Sequence, residues 1–462
     1  MNNKNAAITT KCLAAAFRYW VAVAASTALL VACMHPGHKE EQEAAAKADA
    51  AKNPPAAAAP TAPPTAPPTA PPAAATGAAA GATAAAPPTP PPPPPPPPLV
   101  SFNDAVANAA HAVFKNAPPP QPGASMVVID PLVDGMSGYQ SKATQTIQEH
   151  ITTIVKAEFP QYAVQEITPD SLKQHPRVLV GTFTAVNSQM KTAGTRDGYR
   201  FCLVMGDLST GKVIAKSVAR ARIEDVDATP TAIFSDSPVW TEDPSVQSYI
   251  ATCQASKVGD AIKSEYIEGL LTAALVSEAG NAYNEGRYKD ALELYSTARK
   301  SPAGDQLRVY NGIYLSLTKL HRNDEASAAF RDVVDYGIRK KRLAVKFLFR
   351  PGSVRFDSGN RLSDSYGMWL QQIATQTSAS KTCMQITGHT SATGPAALND
   401  NLSLMRAEYI QTRLEEDEPQ LKKRTVAMGV GSRENLIGTG RDDASDLLDR
   451  RVELKPIDPC ST

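Results

Sequence analysis

The sequence lacks a surplus of either charge: 47 basic and 46 acidic side chains over 462 residues leave a formal charge of +1. A nucleic-acid binder or a binder of anionic membranes would carry a basic domain or stripe, so both classes are excluded. Long hydrophobic runs are missing too. Only the 14 residues from Tyr19 to Ala32 approach membrane length, which excludes a polytopic membrane protein. Catalytic signatures are absent: the seven histidines form no HExxH and no metal-spaced Cys/His cluster, and no GxSxG occurs. The expectation is a non-enzyme with no metal and no cofactor.

What the sequence has in excess is proline. Of 38 prolines, 20 fall between Pro54 and Pro98. Residues 34–98 are low in complexity, with TAPP three times in tandem from Thr61 to Pro72 and unbroken proline from Pro90 to Pro98. Such a segment cannot bury enough apolar surface to fold. It reads as a disordered Ala/Pro-rich linker, stiffened by polyproline II and reaching roughly 200 Å if wholly extended.

Ahead of it, Lys4, Lys11 and Arg18 precede the apolar run, the pattern of a secretory signal peptide. Leu30-Val31-Ala32-Cys33 resembles the bacterial lipobox. That resemblance implies cleavage before Cys33 and lipid on its thiol. Met34, in place of an aspartate, implies the outer membrane. Several acyl chains suffice for stable anchoring. Without residues 1–33 the balance is 44 basic to 46 acidic, or −2. Four cysteines then remain beyond Cys33: Cys202, Cys253, Cys383 and Cys460. An even number, two in each of two domains, fits an oxidising compartment and two intradomain disulfides.

The folded part is expected to be multidomain α+β. In residues 99–265, Val127–Ile129 read as a buried strand and Ser137 to Phe159 as a helix with Ile147, Ile151, Ile154 and Val155 on one face. Strands follow at Tyr162 to Thr168, Arg177 to Val186, Tyr199 to Met205 and Lys212 to Ile223, with a short helix at Pro169 to Gln174. This α/β arrangement resembles the small periplasmic domains of TolB-like proteins. Gly206 to Lys212 has the spacing of a phosphate-binding loop, but Val213 follows the lysine and VIAKSVARARI alternates like a strand, so a hairpin turn is the better reading.

Residues 266–338 are helical. Gly280, Tyr283, Gly286, Tyr288, Ala291, Tyr295, Ala298 and Pro302 resemble a tetratricopeptide repeat, and Ala326, Phe330 and Val333 a second copy. Ala291 to Ala326 and Tyr295 to Phe330 both span 35 residues. Two repeats are below the usual minimum for a free-standing array, so the pair is expected to pack on a neighbour, as a protein-binding unit or a connector. The basic run Arg339-Lys340-Lys341-Arg342 reads as a solvated helix end.

Residues 343–460 alternate strand, helix, strand, helix, strand, strand: VKFLFRPGS, SDSYGMWLQQIATQ, CMQITGHT, NLSLMRAEYIQTRLEE with Leu402, Met405, Tyr409 and Leu414 inward, TVAMGVGS and RRVELKP. Gly388-His389-Thr390, Gly394, Asn399, Leu402-Ser403, Arg406-Ala407, Gly429, Gly431 and Arg450-Arg451-Val452 resemble the OmpA-like peptidoglycan-binding family. The resemblance implies a βαβαββ fold and recognition of the peptide stem of the cell wall, chiefly its diaminopimelate.

In that reading Arg406 is the carboxylate ligand, Thr390 and Asn399 line the pocket and Leu402 floors it. Arg450 and Arg451 match a terminal arginine pair, at least one of which is structural. The resemblance also places the end of the last strand beside the start of the second, which implies a Cys383–Cys460 disulfide and leaves Cys202 to pair with Cys253. One position departs from the family: Ser391 stands where an aspartate is usual. Its missing charge would cost about 1–2 kcal/mol, or roughly ten- to thirty-fold in affinity. The loop before the first helix is also altered, with either Phe349-Arg350 or Phe356-Asp357 in place of a Phe-Asp pair.

The expected function is therefore an outer-membrane lipoprotein, facing the periplasm, that grips peptidoglycan without covalent attachment. The alternative is an assembly or regulatory factor that binds an envelope protein complex through the TolB-like and repeat modules, with weak or no wall contact.

Overall fold

The computed structural model describes residues 95–119, 125–224, 226–240, 243–350, 352–358, 362–440, 446, 449–457 and 460. The signal segment, the lipobox with Cys33 and nearly all of the linker lie outside the described residues.

The chain enters a first domain through β1 (Leu99–Val100) and α1 (Phe102–Asn116). Ser101 starts the helix, its hydroxyl accepting the Asp104 N–H, and the small face Ala105, Ala109, Ala110 lets it lie close to the sheet. The strands are β2 (Ser125–Ile129), β3 (Val133–Asp134), β4 (Tyr162–Glu166), β5 (Arg177–Val186), β6 (Gly198–Asp207) and β7 (Lys212–Arg222). Their order is β1-β7-β6-β5-β2-β4, with β3 beside β5. β2 runs parallel to β4 and β5, while β5, β6 and β7 are antiparallel. All ten residues of β5 are buried, as expected of a central strand covered on both faces.

One face holds α1 and α2 (Lys142–Glu158) around Ile147, Ile151, Leu179 and Phe201. Between β4 and β5 lies the single turn α3 (Pro169–Leu172); a second short helix, α4 (Ala232–Asp236), follows the sheet. The opposite face takes α5 (Pro244–Gln254) and the start of α6 (Ser264–Asn284), around Val180, Val204, Tyr249 and Leu270. A Cys202–Cys253 disulfide, Cα–Cα 6.2 Å, ties β6 to α5.

α2 begins five residues later than its periodicity suggests. The Asp134 carboxylate takes up the amides of Met136 and Ser137 and so holds that stretch in a turn, and Ser141 with Thr144 then forms a capping box. The glycine-rich match at 206–212 is a hairpin turn. Asp207 accepts the amides of Ser209 and Thr210, Gly211 supplies φ +66°, and β7 follows directly.

α6, α7 (Tyr288–Lys300), α8 (Leu307–Lys319) and α9 (Asn323–Arg339) then stack in sequence. Their 35-residue period is written in the backbone. Gly286 and His321 both have positive φ, and the N–H groups of Arg287 and Arg322 close the preceding helices on the carbonyls of Ala282 and Leu317. Each arginine then pairs with an acid three residues on, Asp290 and Glu325. Ala291, Tyr295 and Ala298 are buried, as are Ala326, Phe330 and Val333. The basic run ends α9 as an exposed helix terminus, with Arg339 paired to Asp305 at 3.0 Å.

The last domain is βαβαββ: β9 (Leu343–Val345), α10 (Tyr366–Ala379), β10 (Cys383–Gly388), α11 (Ala396–Asp417), β11 (Thr425–Gly429) and β12 (Val452–Ile457). Sheet order is β11-β10-β12-β9, and β8 (Val239–Trp240), from ahead of the helices, adds antiparallel to β9 at the edge. Of the expected first strand VKFLFRPGS, only Val345 is in β9. Lys346 turns away to the Ser235 carbonyl at 2.7 Å, and Phe349 pairs back on Phe356. A Cys383–Cys460 disulfide, Cα–Cα 5.3 Å, clips the C-terminal end to β10.

The helices and this domain share one core. Phe330 stacks on Trp369 with ring centroids 5.7 Å apart, and Trp369 Nε1 donates to the Tyr314 hydroxyl at 2.7 Å. Among the described residues no helix is long and apolar enough to cross a membrane.

Candidate functional site

α11 carries the site, and its rotation differs from the sequence expectation. Met405 is 42% exposed and Leu402 and Tyr409 are half-buried, whereas Asn399, Ser403, Arg406, Ile410 and Leu414 face inward. The cause is close approach. Gly388 and Gly429 abut the backbone of Ser403 and Leu404, so a polar stripe at i, i+4 and i+7 meets the sheet in place of the larger apolar side chains.

Three loops converge on that stripe. Asn399 Nδ2 donates to the carbonyls of Ser391 at 3.4 Å and Thr393 at 2.9 Å, shaping the loop after β10. Ser403 Oγ accepts the Gly431 N–H at 2.9 Å, and the Gly431 carbonyl accepts the Thr390 N–H at 2.9 Å. Arg406, 4% exposed, donates from Nε to the Ser353 carbonyl at 3.2 Å and from Nη2 to the Arg350 carbonyl at 3.4 Å. Its guanidinium lies 5.0 Å from the centre of the Phe349 ring. The loop after β9 thus covers the arginine. Phe349 and Phe356 face each other in the same bridge of that loop.

Thr390 and Ser391 are both buried; Ser391 Oγ lies 3.1 Å from Thr393 Oγ1, and Thr390 Oγ1 has no hydrogen-bond partner among the described residues. His389 is buried with neither ring nitrogen partnered among the described residues, and burial, with Arg451 next in effect, pushes its imidazole down to about 3. It stays neutral.

Of the arginine pair, Arg451 is buried on Glu453 at 2.9 Å and the Glu434 carbonyl, a structural role. Arg450 is half-buried. Leu402 lies on the outer flank of the stripe.

Sequence reasoning missed the residues behind the loop. The Asp449 carboxylate accepts the amides of Leu436, Ile437 and Gly438 at 2.6, 3.0 and 2.7 Å, and Asn435 Nδ2 donates to the Thr390 carbonyl at 3.2 Å. Asp449 stands immediately before the arginine pair, the one signal that could have found it.

No protein-family profile matches the chain, and no curated protein matches it. Among solved structures it is similar to the peptidoglycan-associated lipoprotein of Burkholderia pseudomallei: 23% identity over 26% of this chain and 92% of that one, TM-score 0.21. The cell wall anchor of the T6SS from Pseudomonas aeruginosa shares 22% identity over 25% of this chain and 80% of its own, TM-score 0.22. An outer membrane protein of Borrelia burgdorferi B31 shares 23% over 25% and 86%, TM-score 0.19. Each likeness covers about a quarter of this chain.

Proposed function

We propose that this chain is a non-catalytic envelope protein whose C-terminal βαβαββ domain binds the peptide stem of peptidoglycan, with the stem's diaminopimelate as the recognised group. The observation that carries the reading is the Asn399–Ser403–Arg406 stripe, which gathers the 350–353, 390–393 and 429–431 loops around one buried guanidinium. A zwitterionic amino-acid head needs a guanidinium for its carboxylate and carbonyls or hydroxyls for its ammonium, and Arg406 and the Thr390–Ser391 loop offer these. The ligand must displace the Arg350 and Ser353 carbonyls from Arg406, and Ser391 brings no charge, so binding is weak. Lipid on Cys33 and the linker to residue 98 would hold the domain at a distance from the outer membrane, facing the periplasm.

A second reading, an assembly factor that docks an envelope protein through the helical repeats and the TolB-like domain, is favoured by the same covered arginine. Sedimentation of the purified protein with sacculi separates the two. The first reading expects wild type to pellet and Arg406→Ala to stay in the supernatant. Wild type in the supernatant with Ser391→Asp in the pellet would sink it.

A further inference from the structure

A cavity of about 90 Å³ lies where the first domain meets the helices, apart from the stripe on α11. Topology accounts for its place. β2 sits between β4 and β5, and the chain leaves it to one side and returns on the other. The crevice beyond the carboxyl ends of strands at such a switch point is where α/β sheets hold ligands. Asp130 is the first residue after β2 and lines this cavity, and α6, α7 and α8 close it with Val276, Tyr295, Arg308 and Asn311.

Three polar groups in its wall are not explained by folding alone. Asp130, 5% exposed, accepts the Tyr266 hydroxyl at 2.7 Å and lies within the electrostatic reach of Arg308, but no ion pair joins the two among the described residues. Arg308 is half-buried, and among the described residues its side chain makes one hydrogen bond, Nε to Gln306 Oε1 at 2.7 Å. Asn311, 8% exposed, spends its Nδ2 on Ser237 Oγ at 2.9 Å, and its buried Oδ1 has no partner among the described residues. A buried acceptor left open costs about 1–3 kcal/mol. A carboxylate and a guanidinium facing one cavity without touching, beside an open acceptor, form a receptor for opposite charges close together.

We propose that this cavity binds a free, small α-amino acid, with its carboxylate on Arg308 and its ammonium between Asp130 and Asn311 Oδ1. The guanidinium fork matches a carboxylate, and an ammonium has three donors for the two oxygen groups opposite. At ~10–15 Å³ for each water-sized place the cavity holds about six to nine, the heavy-atom count of alanine, serine or valine. Val246 and Val276 supply apolar wall for a short side chain. This inference is independent of the wall-binding reading.

The test is calorimetric titration of the whole protein with glycine, alanine of either hand, serine and valine. Propionate and alaninamide, each lacking one charge, are titrated alongside. At least one zwitterion should bind saturably at millimolar concentration or below, and both analogues at least tenfold more weakly. Arg308→Gln should lose at least tenfold, while Arg322→Gln, at an exposed ion pair, should keep full binding. No saturable binding by any of the amino acids overturns the assignment. So does equal binding by the analogues, a comparison that needs no variant to fold, or unchanged binding in a folded Arg308→Gln.

Discussion

The Arg196 guanidinium, in the loop between β5 and β6, donates to the carbonyl oxygen of Asn435 at 2.8 Å, joining residues 239 apart in the chain. Asn435 in turn holds the Thr390 carbonyl, and Asp449 holds the amides that follow. The first domain thus props the loop that backs the candidate wall-binding site. Asp449, Asp134 and Asp446 all lie within the field of Arg196.

Arg196→Met should therefore cost about 2–3 kcal/mol, the scale of hydrogen bonds to a charged group, with one cation removed from beside three acids. Urea denaturation measures it. A change under about 0.5 kcal/mol, the ordinary surface-substitution range, would show that the contact does not hold the domains.

Gly388→Ala tests the close approach of α11. A Cβ there would overlap the Ser403 carbonyl, a backbone atom that can move only with the whole helix. The expected loss is about 1–3 kcal/mol, with weakened sedimentation on sacculi because the Asn399–Arg406 stripe shifts. Wild-type behaviour in both measurements would mean that helix and sheet separate without consequence.

Trp369 and Tyr314 couple the helices to the last domain. Tyr314→Phe leaves the buried indole N–H without its acceptor and should cost about 1–3 kcal/mol, and Trp369→Ala about 3–5 kcal/mol. The double variant should fall short of the sum. Strict additivity would mean that the two side chains do not interact.

His389 predicts an acid-labile fold. The unfolded chain takes up its proton near 6.5, the folded one only near 3, so between those values the unfolded state holds more protons. This contribution is complete above pH 6.5 and is lost as the pH falls. Between pH 6.5 and 5 the loss is about 2 kcal/mol at ~1.4 kcal/mol per unit. Asp130, raised to about 6 by burial, acts in the opposite sense, which is why wild type must be compared with His389→Gln over the same range. A slope that persists in the variant assigns the lability to another group.

Much of the architecture was legible because it is local. Alternation marked β7, and the spacing of Ala291, Tyr295, Ala326 and Phe330 marked the repeat period. The rotation of α11 was not legible: a hydrophobic-face reading favours Met405, and only the contacts at Gly388 and Gly429 turn Ser403 inward. α1 went unrecognised although Ser101 and Asp104 cap it, and β8 is too short to show a period.

The sequence by itself determined the order of the elements and the 35-residue repeat period, since these follow from spacing along the chain, while the pairing of the four cysteines was implied by a family resemblance. Tertiary structure alone decided that β8 crosses into the second sheet, that two carbonyls cover Arg406, that Arg196 props Asn435, and that Asp130 and Arg308 face one cavity. Each of those joins residues far apart in sequence, where close packing and burial, and no local pattern, choose the partner.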